Sequence, residues 1–172
     1  TAGWFQPFAI PIPKLGEANA LEIVLADARI PLVVEKDWNP MSLSPKQDVT
    51  APLVFAGYAV ANEEKGYDDF AGADVKGKAL LVLRREPPWA GGPSQHATFL
   101  AKLNQAVARG AGMLLVVNDP RSLGKNPDRL MSWNAQLGPQ PGSGKIPYAF
   151  VSQDAAERML APLGTSLAAL QK

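Results

Sequence analysis

The chain is 172 residues long, which suits one domain, because a chain of this size buries about 70% of its unfolded surface and forms a real core. Its 17 basic and 16 acidic residues leave a formal net charge of +1, so we expect neither nucleic acid nor an anionic membrane as a partner. It has no cysteine, which excludes disulfides, thiolate zinc ligands and thiol nucleophiles, and no apolar run near the roughly 20 residues that cross a bilayer.

Residues 1–48 are expected to form an N-terminal segment that joins and packs on a larger unit. Three prolines among residues 1–16 exclude a helix there, and the alternation of apolar with polar or prolyl positions favours an edge strand. Residues 20–25 and 30–35 are β-patterned and predict a hairpin. Residues 37–48 are polar and broken by prolines, so we predict a connector.

The central part of the chain begins with a predicted strand at residues 52–61. Gly57 inside this strand indicates a bulge or a close backbone approach. Residues 63–77 predict a turn-rich link. Residues 78–85 have a continuous apolar centre, which is typical of a strand buried on both faces.

A strand–helix–strand unit is predicted next, which favours parallel pairing of its two strands. Residues 96–109 repeat apolar residues every three or four positions, which predicts an amphipathic helix that ends at Gly110, and residues 113–117 predict a buried strand. Residues 121–145 are predicted to form a long loop rich in proline and glycine, and loops of that length are usually functional or mobile. The last predicted elements are a strand at 146–151, an N-cap at Ser152 and a short helix at 154–163.

Several motifs of the central part follow one another in a characteristic order. They are FAGYAV at 55–60, GYDDFAG at 66–72 and DVKGK at 74–78, followed by the strand at 80–85 and the segment 110–120. In combination they resemble the protease-associated (PA) domain, in the form inserted in M28-type zinc aminopeptidases, over roughly residues 50–165. Residues 1–48, with GWFQPF at 3–8, are similar to the segment that leads from the peptidase domain into that insertion.

The resemblance implies a β-rich α+β domain at residues 49–172, a β-sandwich or open barrel with two or more flanking helices. It also implies a non-catalytic module of a zinc aminopeptidase-like protein, which shapes substrate access or mediates protein or peptide contacts. The implied partner is a peptidase domain in the same chain, and zinc is expected only there. The family further implies a secreted or periplasmic protein, although no signal peptide opens the sequence. The alternative is a free-standing domain that binds a peptide or a glycan.

Catalytic chemistry has few candidates in this sequence. A two-zinc peptidase site needs several histidine and carboxylate ligands, and His96 is the only histidine, so we expect no catalytic and no metal-binding residues. Ser94 lies near His96, but no orienting carboxylate or oxyanion hole accompanies the pair. The adjacent pair Asp68 and Asp69 is interpreted as a source of turn and capping hydrogen bonds.

The candidate contact surface consists of Trp89, His96 and Trp133. Both tryptophans lie in long loops framed by proline and glycine, and tryptophan is enriched at binding surfaces. His96 lies at the edge of the first of these loops. The alternative is that each indole packs inward and holds its own loop in place.

Overall fold

The computed structural model describes residues 15–87, 94–133 and 144–171. The edge strand predicted for residues 1–16 therefore falls almost entirely outside the described residues. Within them, the strands are β1 (Leu21–Val24), β2 (Arg29–Leu32), β3 (Trp38–Pro40), β4 (Leu53–Phe55), β5 (Ala61–Asn62), β6 (Tyr67–Asp68), β7 (Ala79–Leu83), β8 (Met113–Val117) and β9 (Tyr148–Val151). The helices are α1 (Phe99–Ala108), α2 (Pro120–Leu123), α3 (Gln153–Leu160) and α4 (Leu167–Leu170). The expected β-rich α+β fold with flanking helices is confirmed.

The central sheet has five strands in the order β3-β9-β8-β7-β4. β4, β7, β8 and β9 are parallel to one another, and β3 is antiparallel to β9. All five residues of β7 and all four of β9 are buried, as expected for inner strands of a sheet that is covered on both faces. The parallel pairing predicted on either side of α1 is confirmed by the register Leu81 opposite Leu115.

Alternate residues of the sheet supply two separate cores, because successive side chains of a strand point to opposite faces. One face carries Leu81 and Val117 and packs against α3, α4 and the β1–β2 hairpin. The other face carries Leu80, Val116 and Phe150 and packs against α1. The sheet is therefore the middle layer of the domain.

The N-terminal segment contributes more to this sheet than its sequence indicates. The β1–β2 hairpin is confirmed as an antiparallel pair. The connector predicted for residues 37–48 is wrong at its start, because Trp38–Pro40 pairs with β9 as the edge strand β3. Proline is tolerated in an edge strand, because one side of that strand has no neighbouring strand and needs no N–H donor. Burial of Trp38, whose Nε1 donates to the Leu32 carbonyl at 3.1 Å, fixes this strand.

The strand predicted for residues 52–61 is interrupted. β4 ends at Phe55, and a turn with positive φ at Gly57 (48°) and Ala59 (53°) separates it from β5. The close approach predicted at Gly57 is confirmed, because a Cβ there would lie 2.0 Å from Oδ1 of Asp69. Asp69 accepts hydrogen bonds from the backbone N–H groups of Tyr58 (2.9 Å) and Val60 (3.0 Å), so its carboxylate holds the turn.

The C-terminal elements follow the sequence prediction with one addition. Ser152 caps α3 as predicted, since its hydroxyl accepts from the Ala155 N–H at 3.1 Å. The short helix α4 was not predicted; it begins after Ser166, which caps it, and Leu167 is buried in the core. No helix among the described residues is long and apolar enough to cross a membrane.

Candidate functional site

Trp133 lines a groove of about 500 Å³ beside the β3 edge of the sheet. The groove walls come from the turn between β2 and β3 (Glu35 and Lys36), from Asn39 of β3, from the segment 128–133, and from Ser152 just before α3. The indole is half-buried. Trp133 therefore faces a concave surface, while part of its ring remains open to solvent.

The floor of this groove is held by a buried asparagine. Asn39 Nδ2 donates to the Met131 carbonyl at 2.9 Å, and its Oδ1 accepts from the Glu35 N–H at 3.1 Å. Asn39 is 6% exposed, so both hydrogen bonds are shielded from water. The side chain ties the segment that carries Trp133 to the edge strand.

A second asparagine holds the other end of the segment 128–133. Asn118, which follows β8, donates through Nδ2 to Asp128 Oδ1 at 2.7 Å and to the Arg129 carbonyl at 3.1 Å. Asp128 Oδ2 accepts from the Gln153 N–H at 2.6 Å, at the first turn of α3. Trp133 is thus carried on a segment fixed at two points before any partner binds, which lowers the entropy that binding costs.

Charges of both signs line the groove. The acidic residues are Glu35 and Asp128, and the basic residues are Lys36 and Arg129. Asp37 lies beside the groove and is buried; burial favours its neutral form, but the Val33 N–H and the Arg158 guanidinium (2.6 Å) outweigh burial and lower the pKa of its carboxyl. The arrangement suits recognition of a polar chain around an aromatic contact.

His96 lies in a single 3₁₀ turn, Gln95–Ala97, just before α1. Its N–H donates to the Ser94 hydroxyl at 3.1 Å, and that hydroxyl donates to Glu86. Ser94 therefore caps this turn, and His96 lies at the entry to α1. The imidazole is half-buried.

The structure describes two of the three residues of the predicted contact surface, His96 and Trp133. Trp89 lies outside the described residues. The groove that contains Trp133 does not include His96 among its described lining residues. A joint surface of all three therefore stays a prediction, and Trp133 is the member for which the structure shows a concave setting.

The described residues form no cluster of potential metal ligands. Within residues 15–87, 94–133 and 144–171, no group of three or more His, Asp or Glu side chains is placed to hold a metal ion. The zinc that the resemblance implies is expected in a peptidase domain, and the described residues of this chain offer no clustered ligand set for it. Asp68 and Asp69 serve the backbone, as interpreted: Asp68 Oδ1 accepts from the Phe70 N–H at 2.9 Å, and Asp69 holds the turn at Gly57.

Sequence reasoning missed the residues that build the Trp133 groove. Asn39 and Met131 are 92 positions apart, and no periodicity connects them. A partial signal existed in Asn118 and Asp119, which follow the buried strand β8 directly. Polar residues at the carboxyl ends of parallel strands commonly organise a nearby site.

Comparison with known proteins places this fold in a family. The PA domain family profile matches residues 49–159. Among solved structures, an aminopeptidase from Aneurinibacillus sp. strain AM-1 is 22% identical, with a TM-score of 0.52, over 84% of this chain and 27% of that one. A zinc aminopeptidase from Bacillus subtilis is 24% identical, with a TM-score of 0.48, over 83% and 28%.

The chain thus spans little more than a quarter of the length of these two structures. No curated protein sequence matches it. The family profile, in contrast, covers well over half of the chain, including the central strands and α1. The chain belongs to the PA domain family.

Proposed function

We propose that this chain is a non-catalytic PA module of a larger zinc aminopeptidase-like protein. The observation that carries the proposal is the PA profile match over residues 49–159, combined with a fold that accounts for 27% of an aminopeptidase structure. The partner is then a peptidase domain in the same protein, and the zinc belongs to that domain. A secreted or periplasmic location follows from the same parent protein.

The Trp133 groove is the surface through which the module acts. Its half-exposed indole, its mixed charges and its fixed backbone suit contact with a peptide substrate or with the rim of a peptidase cleft. In this role the module limits which substrates reach the zinc site and performs no chemical step itself.

The test is a Trp133→Ala substitution in the parent protein. We expect kcat/KM for long peptides to fall about fivefold to thirtyfold, the range for removing an aromatic contact, while kcat/KM for an aminoacyl-anilide stays unchanged. The melting temperature should stay within about 2 °C, because the segment is held by Asn39 and Asn118. Leu163→Ala is the matched control, since Leu163 is 62% exposed and outside the groove.

Two results would contradict this proposal. Loss of stability with normal turnover of long peptides would show that Trp133 only tethers its own segment. An open reading frame without a zinc-ligand set outside these 172 residues would remove the peptidase and leave a free-standing binding domain.

A further inference from the structure

The β1–β2 hairpin has an exposed face on the side away from the central sheet. Its inner side chains Leu21, Ile23 and Leu32 pack into the core that also contains α3 and α4. Because side chains alternate along a strand, the remaining ones point outward. Val24 and Val33 are 47% and 55% exposed, and they are two of the four exposed large apolar side chains among the described residues. The hairpin therefore carries an uncovered surface that is partly apolar.

This outer surface, here called the hairpin face, consists of Glu22, Val24, Arg29, Pro31 and Val33, all of which are exposed. Arg29 and Glu22 form an ion pair at 3.1 Å in its middle. Val24 lies opposite Arg29, and Pro31 lies opposite Glu22, so apolar groups flank the pair. The guanidinium of Arg29 has five N–H donors, more than one carboxylate uses. A partner that covers this face must therefore offer apolar groups and, opposite Arg29, hydrogen-bond acceptors.

The free edge of β2 is unsuited to pairing with a strand of another molecule. The Leu25 N–H donates to the Ala28 carbonyl at 2.8 Å, and hydrogen-bonded pairs alternate along the hairpin from there, so Glu22 and Pro31 form a non-hydrogen-bonded pair. The nitrogen of Pro31 then faces away from β1, where it has no N–H to donate. Proline at a free edge opposes edge-to-edge association. A contact through this side of the hairpin is therefore expected on its face.

The hairpin lies outside the part of the chain that PA domains share in general. The PA profile covers residues 49–159, whereas the match to the Aneurinibacillus aminopeptidase structure covers 84% of the chain. Residues 160–172 are too few to account for the difference, so that match includes part of the N-terminal segment that carries the hairpin. Most of the aminopeptidase structure lies outside the match, since only 27% of it is covered. Part of the N-terminal segment is thus an addition to the general domain that has the same fold in an aminopeptidase.

The first and the last elements of the described fold lie on the hairpin side of the sheet. Leu21 of β1 and Leu167 of α4 belong to one core, which covers a single face of the sheet. A domain that is inserted in another protein is connected to it through its first and last elements. In such a protein, both connections therefore leave this module beside the hairpin.

We propose that the hairpin face is the docking surface of this module on the peptidase domain of its parent protein. The inference rests on the proposed function, and it adds a surface that shares no described residue with the Trp133 groove. The peptidase domain covers Val24 and Val33 with apolar groups and places carboxylate or carbonyl oxygens opposite Arg29. The module is held there, while the Trp133 groove stays free for substrate.

The test is maleimide labelling of the folded parent protein with Val33→Cys, with the unsubstituted parent as the background for its own thiols. Leu100→Cys is the matched control, because Leu100 is also 55% exposed but lies on α1, which covers the opposite face of the sheet. We expect Val33→Cys to react at least about tenfold more slowly than Leu100→Cys, because the site opens only when the domains separate. In urea the two rates should become equal.

Three results would overturn this inference in different ways. Equal rates in a folded parent protein that carries a zinc-ligand set would refute the docking surface and leave the proposed function intact. Protection of Val33→Cys that disappears on dilution would show that a second copy covers the face instead. A parent reading frame without a zinc-ligand set would remove both the proposed function and the partner.

A second substitution tests the chemistry assigned to the partner. Adding Arg29→Gln to Val33→Cys should speed labelling about threefold to tenfold, because the acceptors opposite Arg29 lose a charged donor at the interface. The hairpin itself should be little affected, since an ion pair this exposed contributes about 0–1 kcal/mol. An unchanged rate would refute the acceptors. An equal increase for Leu100→Cys carrying Arg29→Gln would show general loosening of the fold and refute the interface role of Arg29.

Discussion

Raising the pH from 7 to 9.5 is expected to increase the free energy of unfolding by about 2 kcal/mol through one residue, Lys102. Lys102 lies on α1, is 0% exposed, and donates through Nζ to the carbonyls of Tyr58 and Arg85, the latter at 2.6 Å. Burial lowers its pKa from 10.5 to about 8, although the charges of Asp69 and Glu86 act in the opposite direction.

The sign of this effect depends on whether the folded or the unfolded chain binds the Lys102 proton more tightly. Below pH 8 both states are protonated, and above pH 8 the folded chain releases the proton while the unfolded chain keeps it up to about pH 10.5. Stability rises with pH wherever the unfolded state binds more protons, by about 1.4 kcal/mol per pH unit at most. The rise in stability with pH ends near pH 10. Burial raises the pKa of Tyr58 and Tyr148 in the folded chain, so above that pH the unfolded chain loses their protons first and unfolding is favoured.

Urea unfolding followed by tryptophan fluorescence at pH 7, 8, 9 and 9.5 measures this effect of Lys102. The Lys102→Met variant should lose the rise, whatever its absolute stability, since methionine fills a similar volume without a titrating group. Lys125→Met, at an exposed position, is the control and should keep the rise. A flat or falling wild-type profile, or the same rise in Lys102→Met, would refute the reasoning.

Two further predictions concern a turn and a metal. Gly57→Ala should lower the free energy of unfolding by at least about 2 kcal/mol, because φ is +48° and the new Cβ would lie 2.0 Å from Asp69. Gly66→Ala is the control: its φ is +60° but nothing lies within 4 Å, so it should lower the free energy of unfolding by only about 1 kcal/mol. Equal losses in the two variants would contradict the steric argument. The dialysed chain should retain well under one zinc per molecule by atomic absorption, because His96 is its only histidine and it has no cysteine; stoichiometric zinc would contradict this.

The inner elements of this fold could be predicted because local patterns determine them. β7 and β8 are continuous apolar runs, which are typical of a strand covered on both faces, and the apolar spacing of α1 indicates its buried face. The start of α1 differs from the prediction, because residues 95–97 form a separate 3₁₀ turn and Thr98 caps the helix. Capping residues in succession leave several possible helix starts.

The elements that were missed depend on distant partners. β3 is a strand only because β9, more than 100 positions away, supplies its hydrogen bonds. α4 has four residues, too few for a helical pattern, and is held by the burial of Leu167 and by Gln171, which bonds to Asp119.

The edge strand β3 also decides how this domain should be cut for expression. The family profile begins at residue 49, but β3 ends at Pro40. A chain that starts at residue 49 would leave β9, with the sequence YAFV, as an exposed and uncharged apolar edge. Open edges of that kind pair with other molecules and aggregate. Residues 38–40 therefore cover the β9 edge of the sheet, and a fragment that omits them should aggregate more readily than the longer chain.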